Sequence, residues 1–404
     1  MALVGVTEAL AQILAGAAAL PAEMAPLRQA TGRVLAEDLA AQRTQPPTAV
    51  SAMDGYAVRA ADVARAPVTL RMVAEVPAGH PLERPIGPGE CARIFTGGAM
   101  PSGTDAVVIQ EFAVRDREHV TMLRPAVPGR NVRAEGLDFR EGMILLRKGT
   151  RLSERDVMLA AAMNHAALAV HRRPRVAVLG TGDELVPPGS RLGAGDIVYS
   201  NGYALLALAE AQGAETLDLG IARDHIEDIA AAAARARQWN ADVLVTSGGA
   251  SVGERDLVQQ ALAMQGLRLS FWRVALRPGR PMLYGRLGPM HALGVPGNPA
   301  SSYVCAVLFL VPLIRRLAGW ADGELGPRLE PARLGRDLPA NDERADYLRA
   351  TLVEDENGVV ATPLPDQDSS LMLPLARADC LLIREPNAPA AAAGSPCVIV
   401  KLRL

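Results

Sequence analysis

Aromatic residues make up only 3% of this 404-residue chain. Lysine is nearly missing: Lys148 and Lys401 stand alone, so 40 of the 42 basic residues are arginine. Packing must therefore rest on Ala, Leu and Val, and the arginine bias reads as genome-level compositional drift. Cysteine is scarce too. Cys91, Cys305, Cys380 and Cys397 are widely scattered with no CxxC pair, which excludes a zinc spacing and a disulfide framework. Net charge is small, -2 at pH 7, which argues against general nucleic-acid binding. An anionic ligand must then be held by a local arrangement of donors. The most apolar stretch, Tyr303 to Ile314, is too short to span a bilayer and contains Pro312, so a buried helix is expected there. The apolar N-terminus lacks a basic segment and carries Glu8; it reads as an amphipathic helix from about Thr7 rather than a signal peptide. No membrane is implied, and the expected location is cytoplasmic.

What is present is ordinary globular material, 49% hydrophobic and 21% charged, enough for two or three domains. Residues 174–326 alternate apolar runs with amphipathic stretches, as a doubly wound α/β domain does. Arg175 to Leu179, Thr216 to Leu219 and Asp242 to Thr246 are its first strands; Ser200 or Asn201 can cap the helix between the first two. Asn298 can cap a later helix with Pro299 at its first position. Residues 46–140 are broken by Gly and Pro into short alternating runs, a small β-rich domain. It is inserted into a helix-biased linker, residues 1–45 and 141–173. Residues 327–404 return to short strands and predict a small barrel or sandwich. The expected class is multi-domain α/β plus β.

Ligands of open α/β sheets sit beyond the carboxyl ends of the strands, near a switch in strand order. Three strand-end loops stand out here: Thr181-Gly-Asp-Glu184, the stretch TSGGASVGERD at 246–256, and Val295 to Ser302. In the second, Gly248, Gly249 and Gly253 permit close backbone approach, Ser247 and Ser251 add hydroxyls, and a following helix offers its positive end. That is either an anion cradle or a tight glycine turn with a serine cap. Asp183, Glu184 and Asp256 beside such a cradle would repel an anion unless Mg²⁺ intervened; each could equally complement a helix N-terminus. Arg277-Pro-Gly-Arg280 places two guanidinium forks on one turn, suited to a tetrahedral oxyanion, or to a solvated hairpin tip. Gly297 and Asn298 precede a helix whose free N–H groups face a ligand or are simply capped. Asp54 before Gly55 and Thr96-Gly-Gly read as an Asx turn and a surface bend unless context lifts them.

Taken in order, SAMDGYAV (51–58), FTGGAMPSGTDAVV (95–108), TGDEL (181–185), SNGYAL (200–205), TSGGASVGERD (246–256), LRPGRPMLYG (276–285) and GVPGNPASS (294–302) resemble the MoeA/gephyrin E-domain family of molybdopterin molybdenumtransferases. The resemblance covers nearly the whole chain. It implies a homodimer whose active site lies between the α/β domain of one subunit and the inserted domain of the other. It implies a Mg²⁺-dependent reaction in which adenylylated molybdopterin and molybdate give molybdenum cofactor and AMP. Asp54, Thr96, Glu184, Asp224 and Asp256 would be the acids and polar groups of the cleft, with Asp183, Glu184 and Asp256 near the metal. The glycine-serine loop, Arg277, Pro278, Gly279, Arg280, Pro296, Gly297, Asn298, Pro299, Ser301 and Ser369 would hold the ligands. Implied partners are small molecules, a second copy, and transient contacts with the adenylyltransferase and with downstream maturation proteins.

Two departures matter. Arg277 and Arg280 stand where many members carry lysine; charge is kept, but arginine is a poor proton donor. Asp368 stands where the family has glycine, and a carboxylate there would oppose anion binding beside Ser369. The resemblance leaves two rivals. One is the preceding adenylylation step, whose enzyme shares the α/β domain but lacks the inserted one. The other is a non-catalytic molybdopterin-binding scaffold, for which fused domains and long linkers would be expected.

Overall fold

The computed structural model describes residues 3–248 and 257–402. Its centre is a six-stranded sheet built from Arg175–Thr181 (β1), Glu215–Ala222 (β2), Val243–Ser247 (β3), Leu267–Phe271 (β4), Leu283–Leu287 (β5) and Met290–Val295 (β6). Strands β2, β1, β3 and β6 lie parallel in that order, and β5 and β4 extend the sheet antiparallel. Strands β1, β3 and β6 are buried along nearly their whole length. A strand covered on both faces can be apolar throughout, which is why these read as unbroken apolar runs.

Asn201–Ala211 (α1) and the long helix Pro299–Leu317 (α4) cover one face. Ile226–Gln238 (α2) and Leu257–Met264 (α3) cover the other. The chain runs β1 to β2 on one side and then returns past β1 to β3, so the strand order switches between β1 and β3. Helix α4 is longer than the apolar run alone suggested. By length and composition it could cross a bilayer, yet 83% of its most apolar window is buried inside the protein. It is the core helix the sequence predicts. A π-helical turn, Ala306–Leu310, precedes Pro312, whose missing N–H interrupts the regular ladder.

The inserted region forms a six-stranded sheet, with strands at 55–58, 68–76, 90–94, 106–109, 113–116 and 119–122. The C-terminal region closes into a five-stranded barrel, because the strand Ala345–Asp355 pairs with both Gly358–Pro363 and Cys380–Arg384. The linker is less helical than its composition suggests. It holds helices Val6–Ala15 and Glu154–Ala162, but Ala22–Pro26 pairs with Ala167–His171 and Leu39–Ala40 pairs with Ile144–Leu146. Pairing between the two distant segments overrides local helix preference. The first helix leaves the linker altogether: Ala9 and Ile13 are fully buried in the same core as α1 and α4.

One short strand joins the domains. Leu276–Arg277 pairs in parallel with Ala345 and Asp346, so the arginine turn leaves the sheet domain already attached to the barrel.

Candidate active site

Strand register places four loops on one rim. Gly180 of β1, Ser247 of β3 and Val295 of β6 are aligned, and Thr181 is level with Ala222 of β2. Beyond them open a cleft of about 880 Å³. Twelve of the residues expected from sequence line it: Glu184, Asp224, Gly248, Arg277, Pro278, Gly279, Arg280, Pro296, Gly297, Asn298, Ser301 and Ser369. Gly249, Ser251, Gly253 and Asp256 lie outside the described residues. Ser247 is buried just behind the rim, and Pro299 faces a second cavity of about 440 Å³ across the first turn of α4.

Close backbone approach is literal here. A Cβ on Gly248, where φ is +97°, would sit 2.4 Å from the Thr181 carbonyl oxygen. A Cβ on Gly279 (φ +143°) would meet the Leu276 side chain at 2.4 Å and the Cys305 sulfur at 2.9 Å. Neither position tolerates a side chain without local movement.

Asp183 does not join Glu184 in the cleft. Neighbouring residues of a turn point apart; Asp183 lines a separate cavity and accepts the Asp224 N–H at 3.1 Å. Asp54 and Thr96 do find each other: the Thr96 N–H and hydroxyl both donate to Asp54 Oδ1, at 2.7 and 2.8 Å. The N–H and then the hydroxyl hold that carboxyl below its usual range. Neither residue lines the cleft described here.

The two arginines of the turn have different fates. Arg277 makes a two-pronged contact with Asp346, at 2.7 and 2.5 Å, and reaches Asp342 and Asn341 at 3.1 Å each. Hydrogen bonding to Asp346 is the main reason its pKa is raised. It is a strap between domains as well as a lining residue of the cleft that it shares with Arg280. Arg280, exposed at the cleft, has no hydrogen bond or ion pair among the described residues. Arg344 lines the cleft too, bound to Asp342 at 2.9 Å.

The barrel contributes a loop that sequence only half foresaw. Ser369 accepts a hydrogen bond from the Asn298 side chain at 2.7 Å, and its carbonyl accepts the Ala300 N–H at 3.0 Å. Asn298 therefore does not cap α4 with its own side chain, as expected; the Ser369 carbonyl takes one of the helix's free N–H groups instead. Asp368 turns its carboxylate onto Ser370, accepting the N–H at 2.8 Å and the hydroxyl at 2.7 Å. Those bonds hold its pKa down and occupy the charge within its own turn.

Beneath this loop lies Arg349, which sequence reasoning missed. It is fully buried, and its terminal nitrogen donates to the Asp368 carbonyl at 3.1 Å. Its Nε and second terminal nitrogen have no partner among the described residues. Burial lowers its pKa, opposed by Asp366 and Asp368. The available signal was a single charge inside the apolar run Tyr347 to Leu352.

The fold and cleft define a multidomain protein with a polar cleft at the strand-end rim of an open α/β sheet. Comparison with known proteins narrows this. Residues 4–164 match the MoeA N-terminal region (domain I and II), 177–316 a probable molybdopterin binding domain, and 331–402 the MoeA C-terminal region (domain IV). A molybdopterin molybdenumtransferase of Nostoc sp. is 39% identical over 82% of this chain and 77% of the relative. That of Haemophilus influenzae is 32% identical over 92% of both. A solved molybdopterin biosynthesis MoeA protein from Pyrococcus horikosii superposes with a TM-score of 0.86 at 30% identity, covering 100% of both chains. The chain belongs to the MoeA family.

Proposed function

We propose that this protein is an enzyme that inserts molybdenum from molybdate into adenylylated molybdopterin and releases AMP. The observation that carries this reading is the meeting of main-chain amide groups, Arg280 and the Ser369 loop in one cleft beside Glu184 and Asp224. Such a cleft suits a substrate carrying phosphate together with a tetrahedral dianion.

The Asn298 N–H ahead of α4, which has no partner among the described residues, would donate to the phosphate groups. Arg280, assisted by Arg344, would hold molybdate, since guanidinium forks match its oxygens. Glu184 and Asp224 are the hard oxygen donors that Mg²⁺ prefers, and two carboxylates completed by substrate phosphates are a usual set for it. Among the described residues no group of three or more potential ligands stands ready to hold a metal without substrate. When bound, Mg²⁺ would neutralise phosphate charge and polarise the bond that water breaks. The dithiolene sulfurs come with the substrate. Accordingly no cysteine lines the cleft, and burial raises the thiols of Cys91, to about 12, and of Cys305.

Asp54 and Thr96 complete the reading through a second copy. They form a pre-arranged, half-buried carboxylate on the inserted domain and are not among the residues that line their own chain's cleft. In a homodimer each pair would reach the other subunit's cleft. Transient contacts with the adenylyltransferase and with maturation proteins would deliver substrate and remove product.

The reading is tested by supplying adenylylated molybdopterin, molybdate and Mg²⁺ and following AMP together with cofactor able to activate a molybdenum-free apoenzyme. AMP release that needs molybdate supports it. Pyrophosphate release from molybdopterin and ATP would instead indicate the preceding step. The shared site is tested separately by mixing Asp54→Ala and Glu184→Ala chains. Random mixing should restore roughly a quarter of wild-type activity, because half the dimers are mixed and each of those holds one intact site. No restoration would sink the shared site.

A further inference from the structure

We infer that Asn201 is a positioning residue that sets the two anion-binding loops of the cleft against each other. The sequence offers Ser200 and Asn201 as caps for α1, yet neither side chain caps that helix. The Asn201 amide nitrogen points sideways instead. It donates to Ser247 Oγ at 2.9 Å and to the Gly297 carbonyl at 2.7 Å. One side chain thus ties the end of β3 to the loop after β6, and the two backbones it joins are close: a Cβ on Gly297 would lie 3.6 Å from the Gly248 Cα.

This bridge has a directional consequence. In a trans peptide the carbonyl and the following N–H point opposite ways. Fixing the Gly297 carbonyl on Asn201 turns the Asn298 N–H away from Asn201. That N–H has no partner among the described residues, and Asn298 lines the cleft. Ser247, accepting from Asn201, keeps its own hydroxyl proton to donate. Without the amide, the Gly297 carbonyl loses the one side-chain hydrogen bond it has among the described residues, and the donor set loses its alignment before any fold is lost. The role is held by geometry and not by charge, because Asn201 is neutral and is not itself one of the residues that line the main cleft.

The inference rests on the phosphate-binding reading above, and its test separates the two. Wild-type protein is first assayed for molybdate-dependent AMP release, which judges that reading alone. Asn201→Ala and Asn201→Asp are then compared with it. With both hydrogen bonds lost, KM for adenylylated molybdopterin should rise about tenfold, with kcat within roughly threefold of wild type and the thermal midpoint little changed. Asn201→Asp keeps the volume but loses the donors while ionised. Its KM relative to wild type should therefore fall as pH is lowered from 8 towards 4, the ordinary range of an aspartic acid, where the protonated acid regains one donor. Unchanged KM in both variants overturns the inference. So does a pH-independent defect in Asn201→Asp that tracks lost thermal stability, since that is the mark of a merely structural side chain.

Discussion

On the sheet side of the cleft the groups that would meet the anions themselves belong to the main chain, at Gly297 and Asn298 beyond a buried parallel strand. On the barrel side they are side chains, Arg277, Arg280, Arg344 and Ser369, carried by a short turn and a loop. The first set is fixed by strand register and cannot be retuned without moving the sheet. The second is adjustable, and one of its members has already been diverted: Arg277 is held by Asp346 and Asp342 while Arg280, three residues on, has no such partner among the described residues. Place in the chain made the two arginines look equivalent; the partners supplied by another domain make them different.

The comparison breaks most sharply at Gly248. A methyl group there meets the Thr181 carbonyl oxygen at 2.4 Å with φ at +97°. Gly248→Ala should cost about 2–4 kcal/mol and abolish substrate binding, since the clash lies within the rim itself. Calorimetry and a direct binding assay check both. Retained binding would mean that the sheet side is softer than its packing implies.

Next in size is Arg277→Gln. It leaves the Asp346 carboxylate, a side chain only 9% exposed, without its guanidinium. Removing charge-assisted bonds to a buried acid should lower stability by about 2 kcal/mol, seen as a lower thermal midpoint, with a smaller change in molybdate affinity. Arg280→Gln should do the reverse. Molybdate KM rises about tenfold, near 1.4 kcal/mol, and the thermal midpoint barely moves. If both variants lose molybdate affinity equally, the distinction between strap and clamp is wrong.

The parallel sheet and its strand-end loops were legible because burial on both faces forces continuous apolar runs, and glycine clusters at their ends have few other uses. The fate of Arg277 was not legible, because its partner lies 69 residues away on the barrel and is reached only through the pairing of Leu276–Arg277 with Ala345 and Asp346. Asp183 and Glu184 are neighbours in sequence, yet a turn sends them to different cavities. The linker misled for a related reason: Ala-rich segments favour helix locally, whereas Ala22–Pro26 and Ala167–His171 are held as strands by each other. Asp368 shows the opposite case, a charge whose sequence position suggested interference and whose own turn absorbs it.

Acid offers the mildest test of the two sides. Asp342 accepts the Arg344 guanidinium at 2.9 Å and its N–H at 3.0 Å, and the Arg277 guanidinium at 3.1 Å. These contacts, the Arg344 side chain first, pull its pKa from the usual 3.8 to about 2. A carboxyl with a depressed folded-state pKa binds protons less readily when folded than when unfolded. Its contribution is therefore complete above about pH 4 and drains away as pH falls through 2. The main-chain donors of the sheet side carry no group that titrates in this window. Hydrogen exchange followed from pH 5 to pH 2 should show residues 276–280 and 341–346 losing protection before residues 176–181 of β1. In Arg344→Gln the loss should begin at higher pH, because the largest depressing contact is gone. Simultaneous loss on both sides, unaffected by that substitution, would show that the barrel edge is held by something other than its ion pairs.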